Sequence, residues 1–454
     1  MNVVKEKKDD LNAILRVVVE PTDYQEKVEK SLNDYRKQAS IPGFRPGKAP
    51  AGMIRKKYYK SVLADELNRA VQHSLTDFLR TSDLQILGQP LPSESEKMKG
   101  DFDQPEQFEF AFDVGICPPF EVGLSANDQF DYLKLAVSEE MVQEELDGLK
   151  RRFGTLVPAD VIGEKHLVFG EFVELENGAP KENGIKHAST VSIEFLTDDA
   201  AKKLLIGKVK DDKIELDPRS VSRGDTDLAA MLGVDKKKLS EVGNSFHFIP
   251  QEIREMNLAE MNVDFFNKVY KDGSVASEDE LKKHIREDIS KMYEADADRH
   301  LSNKVTETIM KKTAITLPED FLRRWIRATT EDEKTVTEME TNFSTYMEGL
   351  KWQLIQNKLI RDNKIEITAE EMKDYAKGMI SRQYAQYGMP APAPELLEEH
   401  ANKILTGEKE GGQIRDNILG VKLLGYFKQV VKLNNKELPI DQFTNEALSG
   451  TVRE

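Results

Sequence analysis

One cysteine, Cys117, stands among 454 residues, so neither an intrachain disulfide nor a cysteine-based metal cluster can form. That suits a reducing compartment, and Cys117 itself reads as a small buried apolar residue. Long apolar runs are also missing. No stretch approaches the ~20 apolar residues that span a bilayer, and Met1–Asp10 lacks the apolar core of a signal peptide, so a cytoplasmic location without membrane attachment is expected. The seven histidines are scattered, with no His-Glu-x-x-His pair, and there is no Gly-x-Ser-x-Gly elbow and no Walker loop. Metal hydrolysis, serine hydrolase chemistry and nucleotide hydrolysis thus have no residue set to carry them. Glu294, Asp296 and Asp298 lack the glycine of a calcium loop and read as a solvated helix face. No catalytic residue, metal ligand, cofactor or small-molecule substrate is expected.

What is present in quantity is charge. Charged residues make up 32% of the chain against 39% hydrophobic, and acidic residues outnumber basic ones 81 to 65, for a net charge of −16. The length allows about three domains, and the polar excess favours an elongated or multi-armed protein. A field of that sign repels phosphate and disfavours a general nucleic-acid binder. One corner runs the other way: Arg45, Lys48, Arg55, Lys56, Lys57 and Lys60 fall close together, and distant acidic surface is screened beyond roughly 8 Å.

That corner contains Ile41-Pro-Gly-Phe-Arg-Pro-Gly-Lys-Ala-Pro50. Two glycines permit positive φ and three prolines fix φ near about −65°, which makes a stiff loop carrying Phe44 and Arg45 outward as a contact pair. Helices are expected on both sides. Thr22 and Gln25 suggest a capping box opening the first, with Tyr24, Val28, Leu32 and Tyr35 on one face. The second, from about Ala51, buries Val62, Leu63, Leu67, Val71, Leu75 and Phe78. Strands are expected at Leu11–Glu20, Gln85–Gly88 and Phe108–Val114, so residues 1–115 read as one α+β unit with the helical hairpin on an antiparallel sheet.

Gly43, Phe44, Arg45, Gly47 and Pro50 fill the fixed positions of G-F-R-x-G-x-x-P, and this loop resembles the ribosome-docking signature of the trigger factor family, bacterial chaperones that meet nascent chains at the tunnel exit. The resemblance implies ribosome binding by Gly43, Phe44, Arg45, Pro46, Gly47, Lys48 and Pro50, to a tunnel-exit protein and nearby RNA. Many members carry lysine where this chain has Pro46; Lys48 stands in its place as the next cation.

Beyond Cys117-Pro-Pro-Phe120, residues 116–156 read as a connector ending in a helix capped by Ser138. Residues 157–263 are strand-rich, at His166–Leu175, Thr190–Phe195, Lys213–Leu216 and Phe246–Ile253, with a helix near Leu228–Leu239. This order is similar to the FKBP-like prolyl isomerase domain in the middle of trigger factors, and Leu205–Ile214 resembles its leucine-x-glycine hairpin. Isomerisation there needs an apolar, aromatic-lined pocket. Here Ala201-Lys-Lys-Leu204 replaces the expected proline-glycine-phenylalanine-glutamate run, no tryptophan lies in the domain, and Phe195, Phe246 and Phe248 read as core. Weak or absent isomerase activity is expected.

Residues 264–454 read as all-helical and arm-like. Ser277 and Glu280 form a capping box, and Leu281, Ile285, Ile289, Tyr293, Ala297, Leu301, Val305 and Ile309 recur every fourth residue on a rod of roughly 50 Å. Four-residue steps drift about 40° each, so this apolar line wraps around the helix and cannot serve one flat partner. Thr368 pairs with Glu371 ahead of Met372, Tyr375, Met379, Tyr384 and Tyr387, an adaptable surface that could hold varied clients. Met389–Pro394 is a stiff connector that turns the chain, and Gln413–Phe427 resembles the closing helix of trigger factors.

The fold class expected is therefore α+β multidomain: an N-terminal α+β docking domain, an FKBP-like α+β middle domain and an elongated helical C-terminal arm domain. The function implied is that of an ATP-independent chaperone whose partners are the ribosome and nascent or unfolded polypeptides, with self-association into homodimers. A prolyl isomerase with helical appendages and a helical scaffold protein are the alternatives.

Overall fold

The structure, a computed structural model, describes residues 2–38, 44, 49–82, 85–271 and 273–448. The chain forms two compact units, each assembled from two stretches: Met1–Asp131 with Leu301–Asn434, and Tyr132–His300 with Asn435–Glu454.

In the first unit β1 (Asn2–Lys7), β2 (Asn12–Val19), β3 (Ile86–Pro92) and β4 (Phe108–Ile116) form an antiparallel sheet in the order β1-β2-β4-β3, covered by α1 (Pro21–Gln38) and α2 (Ala51–Thr81). The alternation of β2 puts Ala13, Leu15, Val17 and Val19 inward, where they meet Tyr24, Val28 and Leu32 of α1 and Leu63, Leu67 and Val71 of α2. Strand β1 escapes the sequence pattern because it is an edge whose lysines and Glu6 are exposed. The start of α1 differs from the expected Thr22–Gln25 box. Pro21 takes the first helical position and the Asp23 carboxylate accepts the Glu20 N–H at 2.9 Å. Tyr35 is likewise not buried: it is exposed and stacks on Tyr58, with ring centroids 5.8 Å apart.

Strand β5 (Gln129–Leu135) leads into α3 (Glu139–Arg152), where the Ser138 hydroxyl accepts the Met141 N–H at 3.2 Å as expected. The middle of the second unit then holds β6 (Thr155–Pro158), β7 (His166–Glu176), β8 (Ala179–Pro180), β9 (Lys186–Ser192), α4 (Asp199–Leu205), β10 (Ile214–Leu216), α5 (Asp225–Leu232), β11 (Phe246–Asn257) and α6 (Val263–Val269). Its sheet runs β10-β11-β7-β8, with β6 on β11 and β9 on β7. The helix expected at Leu228–Leu239 begins and ends earlier, because Gly233 at φ +66° terminates α5 in a left-handed cap. The strand expected at Thr190–Phe195 is shifted too: β9 stops at Ser192 and Ile193–Phe195 is a single 3-10 turn.

Helix α7 (Glu278–Lys312) carries the four-residue apolar line through both units. Leu281, Ile285, Ile289 and Ala297 join a core with Leu133, Val142, Leu146, Phe265 and Phe443, and Leu301, Val305 and Ile309 are buried in the first unit. In the capping box that opens α7, the Ser277 hydroxyl accepts the Glu280 N–H at 3.3 Å, and the Glu280 carboxylate reaches back to the Ala276 N–H at 2.7 Å.

The first unit is completed by α8 (Glu319–Thr329), α9 (Glu333–Thr341), α10 (Phe343–Asp362), α11 (Ala369–Gln386), α12 (Pro394–Thr406) and α13 (Glu408–Val430). Helix α8 packs on β3 and β4 through Trp325 against Gly88, Phe321 against Gly115, and an Arg324–Asp113 ion pair of 2.9 Å. The chain closes with β12 (Lys432–Leu438), a strand in an otherwise helical stretch, which pairs with β5, and with α14 (Ile440–Leu448). No described helix is long and apolar enough to cross a membrane.

Candidate functional site

The loop signature falls between α1 and α2. Gly43, Arg45, Pro46, Gly47 and Lys48 lie outside the described residues. Phe44 is described and is 39% exposed, whereas Ala49 is buried in the core beneath the hairpin. Pro50, with extended backbone at φ −60° and ψ 135°, ends the loop, and its carbonyl accepts the Met53 and Ile54 N–H groups at 3.0 and 3.3 Å. Buried Ile54, Val28 and Leu32 then fix the helix pair. The first turn of α2 carries no acidic residue and no side-chain cap, so the positive end of a 31-residue helix dipole at Pro50 is not neutralised within the helix.

The cations following the loop are not equivalent. Arg55 is ion-paired with Glu29 and lies over the Tyr59 ring at 4.7 Å, and Lys60 meets Asp103 at 2.5 Å. Lys57 lies over Tyr58 at 5.1 Å and forms no ion pair among the described residues, and Lys56 is exposed. Arg55, Lys56, Lys60, Tyr59 and Phe102 line a groove of about 470 Å³. Among the described residues, the start of α2 is thus an aromatic-backed and partly neutralised basic surface, suited to reversible contact.

The second candidate surface is the bundle of α11, α12 and α13. Thr368 and Glu371 form the expected capping box. The Glu371 carboxyl is held down at about 2, first by the Lys422 ammonium at 2.6 Å and then by the Thr368 N–H. Met372, Tyr375 and Tyr384 pack against a small core of Ala376, Ile380, Ala401, Ile414 and Ile418. Met379 and Tyr387 stay exposed, joined by Met389 and Leu396, which sequence reasoning missed. Their signal was present in Met389–Pro394: a short proline-rich turn has no core of its own in which to hide its neighbours.

In the middle sheet Phe172, Phe246 and Phe248 are fully buried, with the Phe172 and Phe248 rings 4.7 Å apart. Phe195, expected as core, is instead 44% exposed, because the 3-10 turn after β9 rotates it out of the strand alternation. It lines a cleft of about 220 Å³ whose other walls include Ser189, Thr190, Ser192, Thr197 and Ser222. Leu167, Val191, Leu196, Val221 and Met231 supply its apolar walls, and Arg223 and Asp227 its charges.

Three family descriptions match successive parts of the chain: "Bacterial trigger factor protein (TF)" over residues 1–149, "Probable trigger factor, FKBP-like domain" over 156–258, and "Probable trigger factor, C-terminal domain" over 297–446. The chain belongs to the trigger factor family. The trigger factor of Borrelia turicatae is 24% identical over 453 residues, covering 92% of this chain and 93% of that one. That of Treponema denticola is 23% identical over 484 residues, covering 97% and 98%. A solved structure reported as "Promiscuous Substrate Recognition in Folding and Assembly Activities of the Trigger Factor Chaperone" matches with a TM-score of 0.59 at 15% identity, covering 94% of this chain and 99% of that one, which shows the shared fold.

Trigger factors are ribosome-associated chaperones, and chaperone function at the ribosome on nascent polypeptides is this chain's as a member.

Proposed function

We propose that this trigger factor docks at the ribosomal tunnel exit through Gly43, Phe44, Arg45, Pro46, Gly47, Lys48 and Pro50, contacting an exit protein and nearby RNA, and holds emerging chains without ATP. The observation that carries the docking is Phe44: an aromatic left in solvent between two helices that bury Tyr24, Val28, Leu32, Ile54, Leu63 and Leu67 against the sheet. Client shielding falls to Met379, Tyr387, Met389 and Leu396, with Met372, Tyr375 and Tyr384 supporting them from the bundle core. Tethering at the ribosome raises the effective concentration for such weak contacts. We assign residues 1–115 to docking, 116–156 to a connector, 157–263 to a degenerate isomerase domain and 264–454 to client arms, in a cytoplasmic protein that self-associates as a homodimer off the ribosome.

Co-sedimentation with bacterial ribosomes over a salt series tests the docking. Binding that weakens with salt and is lost in a Phe44→Ala, Arg45→Ala double variant supports it; binding that survives the double variant refutes it. Suppression of aggregation of a denatured client separates this reading from a helical scaffold. Isomerase activity as the main function has less support, since Phe172, Phe246 and Phe248 are closed into the core.

A further inference from the structure

Two cavities flank the first two turns of α2 and share Gly52 and Arg55. One is the groove of about 470 Å³, where Arg55, Lys56 and Lys60 stand over Tyr59, Phe102 and Pro105. The other, of about 130 Å³, is lined by Asn33 and Arg36 of α1 and by Ala51, Gly52 and Arg55 of α2.

The charges of this surface are unequally satisfied. Glu29 and Asp103 are the carboxylates that line the two cavities, and each is engaged, Glu29 by Arg55 and Asp103 by Lys60. Both pairs are exposed, so an incoming anion displaces them at little cost. Arg36 and Lys56 form no ion pair among the described residues, and the Arg36 Nε is buried without a hydrogen-bond partner, although a buried N–H ordinarily finds an acceptor. Gly52 stands open at the junction of the two cavities: an added Cβ there would meet nothing within 4 Å.

We infer that this surface holds the sugar-phosphate backbone of RNA, with Arg36, Arg55, Lys56 and Lys60 on phosphates and Tyr59 and Phe102 against a ribose or base. This rests on the docking reading above and assigns the RNA share of that contact to helix residues outside the Gly43–Pro50 loop. Lys56 and Lys60 are four residues apart, which is about 6 Å along the helix and comparable to the step between neighbouring phosphates of one strand. An acidic protein segment fits less well. One carboxylate arriving at Arg55 or Lys60 only exchanges with Glu29 or Asp103, whereas a row of phosphodiesters engages all four cations and releases counterions. The aromatic floor of the groove adds the stacking contact on which RNA recognition commonly draws.

Co-sedimentation of the full-length protein with bacterial ribosomes over a salt series tests this. In an Arg36→Gln, Lys56→Gln double variant, affinity at low salt should fall about tenfold, and the slope of log affinity against log salt should be shallower by about one to two. Gly52→Glu guards against a misfolded variant. The position is exposed and open, and an acidic residue in the first turn favours the helix, so its thermal transition should match or exceed the parent's while ribosome affinity falls about tenfold. A p-azidophenylalanine at position 59, which keeps the ring of Tyr59, should crosslink to ribosomes in an adduct that ribonuclease removes. An unchanged salt slope in the double variant, unchanged affinity in Gly52→Glu, or an adduct removed by protease alone, which marks a protein segment as the occupant, each overturns the proposal. If the parent binds ribosomes and only the Phe44→Ala, Arg45→Ala variant loses binding, this inference falls and the docking reading stands; if the parent does not bind, both fall.

Discussion

In the α1–α2 hairpin, apolar residues face a sheet and one aromatic, Phe44, is left exposed between the helices; in the sheet of β7 and β11, the aromatics themselves are the core. The first arrangement leaves Phe44 free for a partner because Val28, Leu32, Leu63 and Leu67 already hold the helices on β2. In the second, Phe172, Phe246 and Phe248 replace what a pocket would need, and removing any of them to open a pocket would also remove the support of the sheet. Both regions match trigger factor family models, yet one leaves an aromatic, Phe44, exposed and the other buries Phe172, Phe246 and Phe248. A binding site survives where the scaffold does not depend on the residues that bind.

The largest test of that contrast is Phe248→Ala. It should destabilise the middle domain by about 3–5 kcal/mol in a urea titration while ribosome co-sedimentation stays intact. Phe44→Ala with Arg45→Ala should do the opposite: ribosome affinity falls about tenfold to a hundredfold, or about 1.4–2.8 kcal/mol, with no change in the thermal transition. Gly88→Ala probes what supports the docking sheet. Gly88 has φ +72°, and an added methyl would lie 2.7 Å from the Trp325 ring, so the variant should lose about 2 kcal/mol and alter tryptophan fluorescence.

The α11–α13 bundle stands between these cases, with a thin core and exposed methionine and tyrosine. Thr368→Ala should cost about 1 kcal/mol through the lost cap, seen as earlier proteolysis within α11. The smallest effect is on pH. The Glu371 carboxyl is depressed from its usual value of 4.5 to about 2, so its contribution is fully present above pH 4.5 and is lost as the pH falls towards about 2. Glu371→Gln should flatten the acid limb of the unfolding curve over that window; an unchanged limb would mean that the Lys422 pair contributes nothing.

Much of the site was legible because it is local. A loop signature, two helices and a capping box depend on residues a few positions apart, and Ser138, Ser277 and Thr368 all cap as their sequences indicate. Tyr35, Phe195 and β12 were not legible, for a different reason in each case. Tyr35 keeps helical spacing but finds Tyr58 at the surface in place of the core; Phe195 leaves the strand alternation by one 3-10 turn. Strand β12, Lys-Leu-Asn-Asn-Lys-Glu-Leu, has no strand pattern of its own and exists because β5, some 300 positions earlier, offers an edge.

The amino-acid sequence by itself determined most of the helices, the caps at Ser138, Ser277 and Thr368, the absence of a disulfide and the Gly43–Pro50 loop pattern, since each follows from short-range sterics, hydrogen bonding and side-chain chemistry. Only the tertiary structure decided which apolar residues remain outside and which segments close each unit. Helix α7 shows why: its four-residue apolar line is one continuous pattern along the chain, but Leu281, Ile285 and Ile289 are buried in one unit and Leu301, Val305 and Ile309 in the other. Burial is settled by residues distant in sequence, and a periodic stripe records that it will be covered without recording by what.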